Sequence, residues 1–322
     1  MKSKKINVVC LGGGSGLSHF VKGIKDLDYI DLTCIVSVAD NGGSSGVLKE
    51  ELNIPALGDI RNVLVALADT PEQLSSLLDY RFDKGFLKDH SLGNIVIAGA
   101  LQSSHLNLVD TMHQLSDIFK VNGKIIPITN DVVDIKATYF DNSEIIGEKM
   151  IGQSNKRIKK IAYLNETKAA CEAIEALKEA DVIIYSIGSL YTSLLPNLII
   201  PEIKAIIKES KALKIFFANL MSQPGETDNY PLSMYIKAIN AHLGFNGIDY
   251  VIANNKELSS KIISKYALKK AYPVRLDTAR ITQDIEVFLY DIAIVKNGKV
   301  IHDPMKINKF FNEEIKCLFL EK

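Results

Sequence analysis

Tryptophan is absent, and no two of the four cysteines form a CxxC pair. The second absence removes the usual zinc and dithiol-redox spacings, and no His/Cys cluster stands in for them. Three of the cysteines (Cys10, Cys34, Cys171 and Cys317 in all) lie in apolar or helical surroundings, which predicts reduced, buried thiols. An excess of one charge is missing too: Lys+Arg and Asp+Glu both number 38. A nucleic-acid binder usually carries a basic surplus, so that class is excluded as a first reading. The basic run Lys156-Arg157-Ile158-Lys159-Lys160 reads as a solvated face. No apolar run is long enough to span a bilayer. Behind the basic start Met1-Lys2-Ser3-Lys4-Lys5 the apolar run is short and breaks at glycines, so it reads as a first strand and not a signal peptide. A soluble, cytoplasmic protein is expected. No repeat or low-complexity segment is visible, and no Ser/His/Asp arrangement is legible.

The chain is organised around Val8–Ser18, where a short apolar run stops in Gly12, Gly13, Gly14 and Gly16 before a helical pattern of Phe20, Val21, Ile24 and Leu27. Strand, tight loop and helix start are the context of an anion site, because a helix N-terminus has free N–H groups. No Lys-Ser/Thr follows the glycines, so this is not a Walker A loop. Leu17 stands where the third glycine of a dinucleotide fingerprint belongs. Two readings stay open. The loop holds a phosphate, or it lets a helix pack close to a sheet.

At 322 residues the chain can bury a substantial core as one large α/β domain. Leu32–Ala39 is a second continuous apolar strand, as in a sheet covered on both faces. Helices are expected with the apolar face Ile60, Val63, Leu64 and Leu67, and over 71–80, 95–101 and 106–119. The texture changes between 121 and 164. Val121-Asn122-Gly123-Lys124 is a hairpin signal, with strands over 132–140 and 144–151, so a small β-rich insertion is predicted there. Alternation then resumes with a helix over 168–180 and a strand over 181–186. A helix over 198–210 and strands over 214–218 and 248–253 follow. Between the last two strands, Pro231 suits a helix start and Gly244 its stop. The extension 256–322 carries 286–295, the turn Asn297-Gly298 and a final helix opened by Asp303-Pro304.

Five separated loops, each after a strand or before a helix, are rich in Gly, Ser, Asn and Asp. In a parallel α/β sheet such loops line one crevice. Asp40 ends the second strand and leads into Asn41-Gly42-Gly43-Ser44-Ser45. It suits a ribose hydroxyl pair, a magnesium ion or an Asx turn. Ser44 and Ser45 offer hydroxyls to phosphate or sugar. Asp59 is an N-cap or a second functional carboxylate, and Arg61 a phosphate partner or half of a surface ion pair. His90 lies in a polar turn and is expected exposed and titratable; Asn94 caps a helix or reaches ligand. Ser189, Tyr191 and Thr192 offer hydroxyls and an aromatic plane to stack on a base. Asn219 supplies an amide, and Glu226, with Asp228, a carboxylate for metal or base work or for a solvated turn.

Gly-Gly-Gly-Ser-Gly-Leu-Ser (12–18), Val-Ala-Asp-Asn-Gly-Gly-Ser-Ser-Gly (38–46), Gly-Asp-Ile-Arg-Asn (58–62), His-Ser-Leu-Gly-Asn (90–94), Gly-Ser-Leu-Tyr-Thr-Ser (188–193) and Gln-Pro-Gly-Glu-Thr-Asp (223–228) together resemble the YvcK-type gluconeogenesis factors. That group is related to the phospholactate transferase CofD. The resemblance runs from about residue 6 to 255. It implies a single CofD-like domain over 1–322, with a Rossmann-like three-layer α/β/α core and a mostly parallel sheet. It further implies a UDP-sugar ligand such as UDP-N-acetylglucosamine, and a role in cell shape and peptidoglycan synthesis during gluconeogenic growth. Enzymes of peptidoglycan precursor supply are the partners implied, and a homo-oligomer is compatible with it. Implied ligand contacts fall on Gly12–Gly16, Asp40, Ser44, Ser45, Asp59, Arg61, Asn94, Ser189, Tyr191, Thr192 and Asn219. The CofD branch instead transfers a phospholactate group with Mg2+, which would sit near Asp40 and Asp59, the candidates for catalysis. An NAD-binding module is a further alternative. Three departures stand out. Ser15 replaces the usual Thr, Asn41 the usual second acid, and Ser186-Ile187-Gly188 the usual Gly-Pro-Gly. Asn41 offers a metal less charge than a carboxylate, so binding without rapid turnover is expected.

Overall fold

A computed structural model describes residues 5–320; the basic residues 1–4 of the expected first strand, and 321–322, lie outside the described residues. Seven parallel strands form the central sheet: β1 (Ile6–Gly12), β2 (Ile30–Val36), β3 (Lys124–Pro127), β7 (Val182–Tyr185), β8 (Leu213–Phe217), β9 (Tyr250–Asn254) and β10 (Glu286–Tyr290). Their spatial order is β10-β9-β8-β7-β1-β2-β3. The chain builds outward from β1 to β3 and then returns to the other side of β1 with β7. The switch in direction falls between β1 and β7, and an open sheet leaves a crevice outside the carboxyl ends of the strands at such a point.

Between β3 and β7 lies a separate antiparallel sheet of β4 (Ile135–Tyr139), β5 (Glu144–Ile146) and β6 (Ile158–Tyr163), in the order β5-β4-β6. A hairpin of β11 (Ala293–Lys296) and β12 (Lys299–His302) follows β10, turning through Asn297 and Gly298 at φ 52° and 69°. Helices α1 (Gly14–Val21), α2 (Gly43–Leu52), α3 (Gly58–Leu67), α4 (Glu72–Asp79), α5 (Leu92–Ser104), α6 (Leu108–Ile118) and α7 (Glu148–Gly152) bear on the site. No helix among the described residues is long and apolar enough to cross a membrane.

The middles of the inner strands are buried and apolar because helices cover both faces. Phe20 on α1 meets Phe217 on β8 edge to face at 4.7 Å between ring centres, and Phe217 meets Phe310 of the C-terminal helix at 5.5 Å. Ile307, Phe310, Phe311 and Ile315 near the C-terminus thereby pack into the same core as β1 and α1.

Several sequence expectations change. Val121–Lys124 is no hairpin: Lys124 opens β3, where Ile125 and Ile126 pair with Cys34 and Ile35 of β2. Asn122 donates to Leu67 O (3.0 Å) and Lys25 O (2.6 Å), which ties that turn to the main domain. The stretch 144–151 is not one strand, because Gly147 takes φ 93° and starts α7. The stretch 286–295 breaks after Tyr290, its first half completing the main sheet and its second joining the hairpin. Cys10 and Cys34 are buried on paired strands, where desolvation raises both thiols, but Cys171 and Cys317 are exposed. Periodicity cannot report partners hundreds of positions away.

The insertion is clamped to α2. Lys49, almost fully buried, donates to Val133 O and Asp134 Oδ1, both at 2.6 Å. Asn41 Oδ1 accepts from Lys149 N at 2.9 Å. His242 Nε2 accepts from Ile161 N at 3.0 Å on the other side.

Candidate functional site

The first glycine loop is closed by the protein itself. A Cβ on Gly13 would lie 2.3 Å from Asp59 Oδ2, and one on Gly16 would lie 2.2 Å from Ile187 O. A Cβ on Gly12 would press on Ser186 at 3.3 Å, and Gly14 has φ 62°. Ser15 is exposed, its carbonyl accepting from Ser18 and His19. The Gly14 amide donates to the Asp59 carboxylate. The position expected to hold a phosphate at the start of α1 is therefore filled by a side chain. These glycines serve close packing against Asp59 and against the loop after β7.

Asp59 does not cap its own helix by side-chain hydrogen bond; it lies across the start of α1 instead. Desolvation, then repulsion from Asp40, pushes its carboxyl up to about 7, against the Gly14 hydrogen bond that favours the charged form. Glu148 on α7 is likewise pushed up to about 7 by desolvation and by the Asp40 and Glu226 carboxylates.

The second loop is built differently. Asp40 Oδ1 accepts from Gly42 N at 2.7 Å, the Asx turn of the sequence reading. Gly43 has φ 49° and open space where a side chain would be. Ser45, buried, accepts from Leu57 N and Gly58 N, and so locks the start of α3 beside the start of α2. Ser44, also buried, accepts from Ser91 N and Asn94 Nδ2, both at 3.3 Å, and contacts His90 Nδ1 at 3.2 Å. His90 is thus half-buried and engaged rather than exposed. Two helix N-termini, each carrying partial positive charge, converge on this point.

Arg61 reaches the same place from α3. It pairs with Asp79, and Arg81 stands close enough to repel it. Burial lowers its pKa, and its Nε is buried without a partner, as is Asn94 Oδ1. Asp40, Gly43, Ser44, Asp59, Arg61, Arg81 and Asn94 line a cleft of about 300 Å³. Arginine forks and free helix ends suit a planar or tetrahedral oxyanion. This cleft lies one loop along from the glycine pattern of Gly12–Gly16.

On the other side of β1, Ser189, Tyr191, Thr192 and Glu226 form a support. Glu226 accepts from Ser189 Oγ, from Tyr191 N (3.3 Å), from Thr192 Oγ1 (3.3 Å) and from Gln223 Nε2 (2.8 Å). It is buried, which raises its pKa, so the solvated turn expected there is a buried bracket. Tyr191 is buried too, its hydroxyl 3.1 Å from that of Tyr230 and its ring against His242. It cannot stack on a base from this position. Asn219 Nδ2 donates to Gly188 O at 2.6 Å, and Asn197 Nδ2 to Gly12 O at 3.0 Å. These bonds hold the loop after β7 against the first glycine loop.

Beyond Asn219 a second pocket of about 440 Å³ opens at the ends of β8 and β9, with Leu220, Leu258 and Val274 as apolar walls and Asn254 and Lys256 as polar ones. Asn254 Oδ1 is buried without a partner. Glu148, Arg81 and Asn254 were not among the expected residues. Asn254-Asn255 ends a strand and could have been flagged; Glu148 enters from the insertion and has no spacing signal.

Asp40 and Asp59 are hard oxygen donors in one cleft, and their mutual repulsion is what a cation would relieve. Mg2+ commonly takes one or two carboxylates plus substrate phosphate, so the donor set fits that ion. Among the described residues no three His, Cys, Asp or Glu side chains gather into an all-protein cage.

The family model for the 2-phospho-L-lactate transferase CofD matches residues 8–320. The gluconeogenesis factor of Halalkalibacterium halodurans is 41% identical over 309 residues, covering 95% of each chain. That of Bacillus subtilis is 38% identical over 307 residues, covering 94% of this chain and 96% of its own. The crystal structure of a UPF0052-family protein from Bacillus halodurans superposes with TM-score 0.92 at 37% identity, covering 95% of this chain and 99% of its own. With matches of this length, the chain belongs to the CofD family, in the UPF0052 branch of the gluconeogenesis factors.

Proposed function

We propose that the protein binds a nucleotide sugar of the UDP-N-acetylglucosamine type, without rapid turnover, as a cytoplasmic factor in cell-wall precursor supply during gluconeogenic growth. The observation that carries this is the cleft where Arg61, Arg81 and the starts of α2 and α3 surround an unfilled space. The diphosphate would take the arginines, Ser44 and the open amides at Gly43. The pocket after β8 and β9 would take the nucleoside. From β2 to β8 or β9 is three or four strand positions, about 14–19 Å at the usual interstrand spacing of about 4.8 Å. An extended nucleotide sugar matches that span, and both pockets lie at the same strand ends. Titration with UDP-N-acetylglucosamine is expected to give heat and raise the melting temperature. Neither effect at millimolar ligand would overturn the proposal.

A second reading, a CofD-like Mg2+-dependent transferase, is favoured by Asp59 and Glu148. The Glu148 carboxyl, held near 7, is poised to accept a proton from an acceptor hydroxyl. Asp40 and Asp59 would hold the cation, which would neutralise phosphate charge. Mass spectrometry of donor and acceptor mixtures decides: a new phosphodiester, lost in Asp59→Asn, supports transfer.

A further inference from the structure

We infer that the loop 82–90 is a cover for the anion cleft, with Phe86 the group that closes over the bound ligand; this rests on the nucleotide-sugar reading of that cleft and adds an element outside the strand-end loops. Phe86 is wholly exposed, at 101% of its reference surface. Leu87, Tyr80 and Leu77 beside it in sequence are exposed as well. A scattered exposed leucine is ordinary. An unburied phenylalanine at a loop tip, beside Gly85 at φ 73° with open space around it, is a group without its contact surface.

The loop is internally tied. Phe82 N donates to His90 O (3.0 Å), Asp89 N to Phe82 O (2.8 Å), His90 N to Leu87 O (3.0 Å) and Lys88 N to Gly85 O (3.1 Å). It would therefore swing as one piece about its roots, Arg81 and Ser91, which are bridged to each other. One root lines the cleft and the other is buried directly behind it. Arg81 lines it while its Nη1 donates to Asp89 O. His90 and Ser91 both contact the Ser44 hydroxyl.

The groups that hold the loop outward are thus the groups an anion would recruit. An oxyanion on Arg81 and Ser44 competes with Asp89 O for the guanidinium and with His90 for the hydroxyl. A ligand that interacts differently with two arrangements shifts the balance between them. Phe86 lies five positions along the chain from Arg81, at the tip of this tied loop, so a swing about the roots carries its ring toward the cleft that Arg81 lines.

Because the chain has no tryptophan, Phe86→Trp places a lone indole at the tip. The full chain carrying F86W is titrated with UDP-N-acetylglucosamine and, separately, with inorganic pyrophosphate, with calorimetry on the same samples. The expected result is a blue shift and a loss of acrylamide quenching as the nucleotide sugar saturates the site. Phe86→Ala should leave the melting temperature unchanged and weaken that ligand by about 3- to 10-fold, as for partial loss of aromatic burial. Heat of binding with unaltered emission overturns the cover. Emission already blue-shifted without ligand, and dependent on protein concentration, also overturns it and assigns Phe86 to a second copy. No heat from either ligand overturns the anion reading of the cleft, and the cover with it.

Discussion

The two glycine loops look alike in sequence and are opposite in structure. At Gly12–Gly16 the space beside the backbone is taken by Asp59 and by the Ile187-Gly188 backbone. At Gly43 it is open, and Arg61 and Arg81 line the cleft there. A glycine-rich turn before a helix says that something approaches the backbone closely. It does not say whether that is ligand or protein, and the charge of the neighbours decides.

Substitution separates the two loops most sharply. Gly16→Ala places a methyl against a backbone carbonyl that cannot yield and should cost about 3 kcal/mol or more. Gly43→Ala meets no atom and bears only the left-handed backbone, about 1 kcal/mol. Thermal or urea unfolding of the two variants checks this, and equal losses would erase the contrast. Next in size, Arg61→Met and Arg81→Met should each weaken pyrophosphate or UDP-N-acetylglucosamine by about 10- to 100-fold, the loss of a charged hydrogen bond. Ser15→Ala in the first loop should change calorimetric affinity by less than about 2-fold, since its exposed side chain holds no part of the cleft.

The pH dependence sharpens the same comparison. Asp59 and Glu148 have carboxyls raised to about 7 in the folded chain, above the ordinary range near 4. The folded state then binds protons more tightly than the unfolded state between those values. Their share of the stability should fall as pH rises from about 4 to about 7, while buried His302, lowered to about 4, pulls the other way up to about 6.5. Asp59→Asn should remove part of that slope and raise the melting temperature at pH 8. A pH profile unchanged by Asp59→Asn would contradict the crowding of carboxylates around the first loop. Tyr191→Phe should cost about 1 kcal/mol of stability from the lost Tyr230 contact, with ligand affinity unaltered by calorimetry.

The strands, the alternation and the convergence of the loops were legible because each is a local pattern repeated along the chain. Asp40, Ser44, Ser45, Asp59, Arg61 and Asn94 were all picked out as loop residues, and they do meet in one cleft. What was not legible is direction. Asp59 faces α1 rather than its own helix, Tyr191 points into the core, and Glu226 braces Ser189. Glu148 arrives from an insertion whose docking depends on Lys49 and Asn41, positions with no sequence signature for that task.

Lys49 gives the insertion a standing that its small size does not suggest. Its ammonium has left water for one carboxylate and one carbonyl, and both belong to the segment just before β4. Removing the Asp134 carboxylate alone would leave that buried cation short of its partner, at about 3–5 kcal/mol. The β-rich module is therefore no detachable ornament: helix and module must be inherited, grafted or deleted together.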